Sequence, residues 1–318
     1  MCIRDSIDGF QFNQAWLTVD NEIQRGNGWD VGYHMDFLFG ADGPDTQAFG
    51  DGTWDATWDT SGQYGFAMPQ LYVGGAYGNT SVILGRFYTI IGYETVQAPD
   101  NFFFSKPYTF FYNEPFTHTG ILATHDWTDS LTLYLGYTLG WDGGFRNPND
   151  GSTFLGGIKW APSEYFSVAY STSFGDPGDN PTGSSDTYLQ SVVVDTMITD
   201  NLEWVIQSDY QNRQSAVAGG TSYGLANWLF YHWDDSTSFG LRYEWFRDSR
   251  GLAAVAGASE HFHAITLGVN RQITDRFTVR PEVRFDWADR DEIFPGAAFD
   301  SGTRNSQMTF GIQGVWTF

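Results

Sequence analysis

Phe277-Thr278-Val279-Arg280-Pro281-Glu282-Val283-Arg284-Phe285-Asp286-Trp287 is the segment whose reading decides the fold. Phe277, Val279, Pro281, Val283, Phe285 and Trp287 alternate with Thr278, Arg280, Glu282, Arg284 and Asp286. A pleated strand sends successive side chains to opposite faces, so this segment has one apolar and one charged face. The same period recurs on both sides of it. Phe239, Leu241, Tyr243 and Trp245 oppose Gly240, Arg242, Glu244 and Phe246, while Leu131, Leu133, Leu135 and Tyr137 oppose Thr132, Tyr134, Gly136 and Thr138. Further back, Val31, Tyr33, Met35, Phe37 and Phe39 oppose Asp30, Gly32, His34, Asp36 and Leu38. Helical periodicity is nearly absent.

About fifteen such strands are predicted, at 10–22, 29–40, 68–77, 81–91, 118–126, 131–141, 152–161, 166–174, 187–199, 202–211, 223–233, 238–248, 261–272, 276–288 and 305–318. Most approach the ~9–11 residues that cross a bilayer at a tilt. Their connections alternate in length. Turns such as Gly78-Asn79-Thr80, Asp200-Asn201 and Ile273-Thr274-Asp275 are tight, whereas 41–67, 92–117, 142–151, 175–186, 212–222, 249–260 and 289–304 are long. Short turns at one end and long loops at the other describe an all-β, antiparallel up-and-down transmembrane β-barrel. The strand at 10–22 and the strand ending at Phe318 both run toward the short-turn end. An even antiparallel barrel would therefore have sixteen strands in the intact protein and an open seam here. The opening Met1-Cys2-Ile3-Arg4-Asp5-Ser6 does not read as a signal peptide and resembles read-through of a sequencing adapter. Residues 7–318 are then a single barrel domain.

A soluble β-sandwich produces the same alternation, so three further features are needed. Apolar faces carry Trp near strand ends (Trp29, Trp141, Trp160, Trp204, Trp245, Trp287, Trp316), where such rings suit a membrane–water interface. Some fifteen meander strands enclose a cylinder too wide for side chains to fill. Charges sit in mid-strand on the polar faces, where a wet lumen can solvate them. Composition excludes other classes. With 16 Lys+Arg against 38 Asp+Glu, the net charge of −22 argues against nucleic acid as a partner. Aromatic residues make up 18%, too many for a disordered acidic chain. One cysteine, Cys2, excludes a disulfide framework.

Longer motifs carry a resemblance. Gly85–Glu94, Ala98-Pro99-Asp100-Asn101, Pro115–Gly120 and Gly140-Trp141-Asp142 are similar to β-barrel porins of the OmpL-like type, which occur in planctomycetes and other Gram-negative bacteria. So are Arg242–Asp248, Arg280–Asp286 and Phe294-Pro295-Gly296. The resemblance covers nearly the whole chain from Phe10. It implies an outer-membrane channel with no cofactor, and makes Phe318 similar to the terminal signal read by the barrel-assembly machinery.

Candidate sites follow from the inward faces. His34, Asp36, Arg86, Arg242, Glu244, Asp248, Arg280, Glu282, Arg284 and Asp286 are expected to line the pore, as a selectivity wall or as a network stiffening it. The loop 92–117 is rich in aromatics and would not float in water. It is expected to fold inward as a constriction carrying Asp100, Phe103, Lys106, Tyr108, Phe111 and Glu114, with packing over the rim or against a neighbouring subunit as the alternative. His261 and His263 share a strand face but lack a third metal ligand, and 147–151 and 176–180 lack full calcium-loop spacing, so no metal is expected. No nucleophile elbow or phosphate loop occurs, so no enzyme is expected. The expected function is passive diffusion of small hydrophilic solutes and ions, with cations favoured by the −22 balance. Outer-membrane lipids and the assembly machinery are the expected partners, with a second copy of the chain, as a homo-oligomer, a further candidate. Two alternatives remain open: a non-conducting structural or adhesive outer-membrane barrel, and a soluble glycan-binding β protein.

Overall fold

The computed structural model describes residues 9–49, 54–58, 63–147, 149–178, 186–214, 219–249, 260–289, 298–299 and 303–318. The segments Met1–Ser6 and Phe294–Gly296 lie outside them, as do parts of the two acidic loops. Fifteen strands occur among the described residues: β1 (Ala15–Asn21), β2 (Gly26–Gly40), β3 (Gly65–Gly78), β4 (Thr80–Tyr88), β5 (Thr117–Thr128), β6 (Leu131–Thr138), β7 (Ser152–Ser163), β8 (Phe166–Asp176), β9 (Thr187–Thr199), β10 (Leu202–Arg213), β11 (Gly220–Asp234), β12 (Thr237–Asp248), β13 (Glu260–Thr274), β14 (Phe277–Ala288) and β15 (Ser306–Trp316). They form one sheet in sequence order, each strand antiparallel to the next. Each predicted strand corresponds to one of these. Two short helices, α1 (Gly43–Thr46) and α2 (Tyr108–Tyr112), lie in long connections.

The two faces of the sheet are filled in the reverse of a soluble protein. On β14, Arg284 and Asp286 are 2% and 0% exposed, while Phe285 between them is 44% exposed. On β15, Phe310 and Ile312 are 68% and 65% exposed. Leu84, Leu135 and Leu267 stand outward in the same way. Burying charge and exposing Leu, Ile and Phe is stable only if the outer face meets hydrocarbon. Trp29, Trp127, Trp160, Trp204, Trp233 and Trp316 are exposed on that outer face near the short turns. Amphipathic rings at that level suit the lipid interface. Trp141 departs from the expectation: it lies past the end of β6, turns inward and donates its indole N–H to Ser173 Oγ at 3.0 Å.

β1 and β15 run in the same direction, and among the described residues no ladder joins them. The sheet nevertheless curls. Gln14, just before β1, accepts from Ala98 N at 3.0 Å, and Arg280 on β14 donates to Ala98 O at 2.9 Å. Opposite ends of the sheet thus grip one residue of the 92–117 segment. β4 ends at Tyr88 instead of Ile91 because the chain leaves the sheet there. Ile91 instead packs with Phe87, Leu122, Leu155 and Leu189 on the inner face.

Candidate functional site

The inner face is occupied by the segment between β4 and β5. Its anchors are the charged residues of β12 and β14. Arg242 Nη1 meets Glu94 Oε1 at 2.9 Å and donates to Ser105 O at 2.7 Å, and its Nε meets Glu244 Oε1 at 2.9 Å. Arg284 bridges Glu244 and Asp286 at 3.0 and 2.8 Å and donates to Lys106 O at 3.0 Å. Glu282 accepts from Phe104 N at 3.0 Å and from the Ser105 hydroxyl. Tyr108 donates its backbone N–H to Glu244 at 2.7 Å and its hydroxyl to Asp286 at 2.8 Å. Arg280 donates to Ala98 O, Asn101 O and the Gln313 side chain. Paired and hydrogen-bonded in this way, the charges tolerate burial; removing one partner of such a network costs ~3–5 kcal/mol.

Aromatic rings of the segment fill hollows in the wall. Gly240, Gly268 and Gly311 occupy inward positions on β12, β13 and β15. A Cβ at Gly268 would come within 2.9 Å of the Phe103 ring, one at Gly311 within 2.6 Å of Phe104, and one at Gly240 would overlap Phe102. Missing side chains on the wall therefore make room for Phe102, Phe103 and Phe104. Phe103 also lies 5.0 Å beneath the Arg242 guanidinium, a favourable cation–π distance. Tyr108 packs with Phe246 and Phe262. Burial of the Tyr108 hydroxyl beside Asp286 pushes its pKa up.

The remaining expected residues fall as follows. His34 and Asp36 are inward on β2; the imidazole stacks on Tyr72 and approaches Asp36 at 3.0 Å, and Asp36 accepts from Thr18 and Gln70. Asp248 is buried on the inward row of β12. Lys106 pairs with Glu94 at 3.4 Å and lies over Phe110. Asp100 is exposed, Phe111 is half-buried against Phe116, and Phe318 is exposed beyond β15. Arg86 differs from the rest. Alternation along β4 sets it opposite Ile83 and Phe87, which belong to an inner-face cluster. It lies buried against α1 and the turn Trp54–Thr57, 3.0 Å from Asp55.

Glu114, expected on the inward loop, meets residues that the sequence reading did not single out. Glu114 is buried against Gln207 of β10, and Asp209 stands beside that glutamine at 2.7 Å. Burial first, and the Asp209 carboxylate second, push the Glu114 pKa well above its ordinary value. Asp142 is pushed up to about 6 by burial, against donors from Phe116 and Thr117 that hold it down. Away from the segment, Arg25 and Asp126 pair at 2.8 Å and remain a third exposed, and Lys159, Asp195 and Glu203 lie at the short-turn end of the inner face. Asp126, Lys159, Asp195, Glu203 and Asp209 had a signal, as charge on the inward parity of predicted strands, whereas Arg25 and Asp142 lie outside those strands. The glycine hollows had a signal too: glycines at inward positions where neighbouring strands carry charge.

His261 and His263 sit on the outer face. His261 stacks with Trp245, and His263 with Trp287 at 5.0 Å. Among the described residues no cluster suited to a metal ion occurs.

The family model described as "Putative beta-barrel porin-2, OmpL-like" matches residues 2–318. No curated protein matches the chain. Among solved structures, an anion-selective porin from Comamonas acidovorans superposes with a TM-score of 0.66 at 12% identity, covering 95% of this chain and 88% of that one. OmpF of Salmonella typhi, in complex with daunomycin, gives 0.66 at 14% identity, covering 98% and 93%. The trimer form of Vibrio cholerae OmpT gives 0.61 at 13% identity, covering 98% and 93%. At such identities the likeness concerns the fold.

Proposed function

The chain belongs to the OmpL-like porin-2 family and is an outer-membrane porin, and from that premise we propose that the segment 92–117 sets the width of its water-filled passage. The observation that carries this is the docking of Phe102, Phe103 and Phe104 into the wall glycines Gly240, Gly268 and Gly311. A segment held by fitted rings and buried ion pairs narrows the lumen permanently. It does not act as a mobile lid. In this reading Arg242, Glu244, Arg280, Glu282, Arg284 and Asp286 anchor the segment, and solutes pass along the opposite wall, where Arg25, Asp126, Lys159, Asp195 and Glu203 keep contact with water. Passage is diffusion, with no covalent chemistry. Lipids cover the outer face, the barrel-assembly machinery reads the end of the chain, and a second copy is a further partner; the trimeric OmpT supports that last reading.

Deleting residues 100–112 tests the proposal. Single-channel conductance in planar bilayers is expected to rise, and a conductance equal to that of the intact chain refutes the constriction. An intact chain that conducts nothing while the deletion conducts would favour the non-conducting barrel, a reading that the depth of burial of this segment keeps in view.

A further inference from the structure

Beneath the inward segment, on the side of the short turns, lies a cavity of about 330 Å³. This is at the small end of ligand pockets, which span ~300–1,000 Å³. Pro99 and Asn101 roof it, and the turns carrying Asp235, Ser236, Asp275 and Arg276 rim it. Its wall is a patch of neighbouring inward side chains. Ser238 on β12 faces Asn270 on β13, and Gln272 on β13 faces Thr278 on β14.

Two features of this wall suit it to a ligand. First, its polar groups are left open. Asn270 Oδ1 and Arg280 Nε are buried without a partner, and Arg280 is only 3% exposed. A buried polar atom without a partner is unfavourable, so an incoming group that satisfies it is held in preference to water. Secondly, charge is balanced: Asp235 and Asp275 stand against Arg276 and Arg280. A wall of hydroxyls and amides holding one open acceptor and one open donor, with no net charge, suits a ligand that donates and accepts at adjacent atoms. Hydroxyl pairs on a sugar do both.

We propose that this vestibule is a binding site for a neutral, polyhydroxylated solute, a small saccharide or polyol, lodged against Ser238, Asn270, Gln272 and Thr278 below the constriction. The inference deepens the porin reading and rests on it for the solute's access. Sucrose and inorganic phosphate are the probes. The full chain, refolded in detergent, is dialysed to equilibrium against radiolabelled sucrose, alone and with phosphate, and compared with the double variant Asn270→Ala/Gln272→Ala. Neither side chain holds a neighbour in place among the described residues, so the variant is expected to fold. Saturable sucrose binding, indifferent to phosphate and weakened at least about tenfold in the variant, is the expected result; tenfold is the worth of one or two good hydrogen bonds. Absence of saturable binding, equal binding by the variant, or displacement of sucrose by phosphate overturns the proposal. Conductance in KCl is read separately. A chain that binds sucrose but never conducts refutes the porin reading and keeps the site. One that conducts without binding sucrose keeps the porin and removes the site.

Discussion

Glu114 shows how a single side chain can work against the structure that buries it. It is enclosed by Gln207, with the Asp209 carboxylate beyond and Gly92 of its own segment pressed against it. In the unfolded chain it releases its proton near the ordinary value of 4.5; in the fold, burial and Asp209 raise that value. The folded protein therefore holds more protons between the two values. Stability falls as pH rises from about 4.5 through that interval, and is greatest below it. Glu114→Gln keeps the oxygen that accepts from Gln207 and abolishes the titration. It is expected to stabilise the protein at pH 7 and to flatten the acid-side rise. Denaturant midpoints at pH 4 and 7 check both; equal midpoints for variant and parent at pH 7 would sink the idea.

At the scale of elements, the wall and the inward segment are complementary surfaces. β13 presents Ala264, Thr266 and Gly268 inward between the charged rows of β12 and β14. Small residues there leave a trough that Phe103 and Tyr108 enter. Gly268→Val keeps the strand, since β-branched residues suit a pleated sheet, but places atoms where Phe103 lies. The barrel is expected to assemble as before, judged by its mobility on unboiled gels, with the segment dislodged and single-channel conductance raised. Parental conductance in a correctly assembled variant would show that the docking does not set the width. The sequence announced each strand but not this fit. Period-two alternation survives in any barrel, whereas the mating of Phe102–Phe104 with glycines ~130 to 210 residues away depends on how far the sheet curls. The same limit explains Arg86. Its motif resembled the family's, and local spacing could not say that the turn at Trp54–Thr57 would supply Asp55 as its partner.

For the whole molecule, charge and its placement give different answers. The chain carries −22, which favours cations. Many of the acids are silent in that respect: Glu94, Glu244, Glu282 and Asp286 are buried and bound by arginines or by the inward segment. Among those left in contact with water on the inner face, Asp126 pairs with Arg25, Asp195 feels the charge of Lys159, and Glu203 meets His232 at 3.2 Å. The expected outcome is a modest cation preference, seen as a zero-current potential in a KCl gradient with the sign for potassium as the faster ion. A potential of the opposite sign would refute it. What the sequence determined by itself was the barrel: alternation, strand length and the long–short rhythm of connections are local, and each strand's two faces are written in its own residues. Only the tertiary structure decided which wet-face charges meet solute and which are sealed under the segment from β4 to β5, because that depends on contacts between residues far apart in the chain, and burial there turns a row of charges from a pore lining into an anchor.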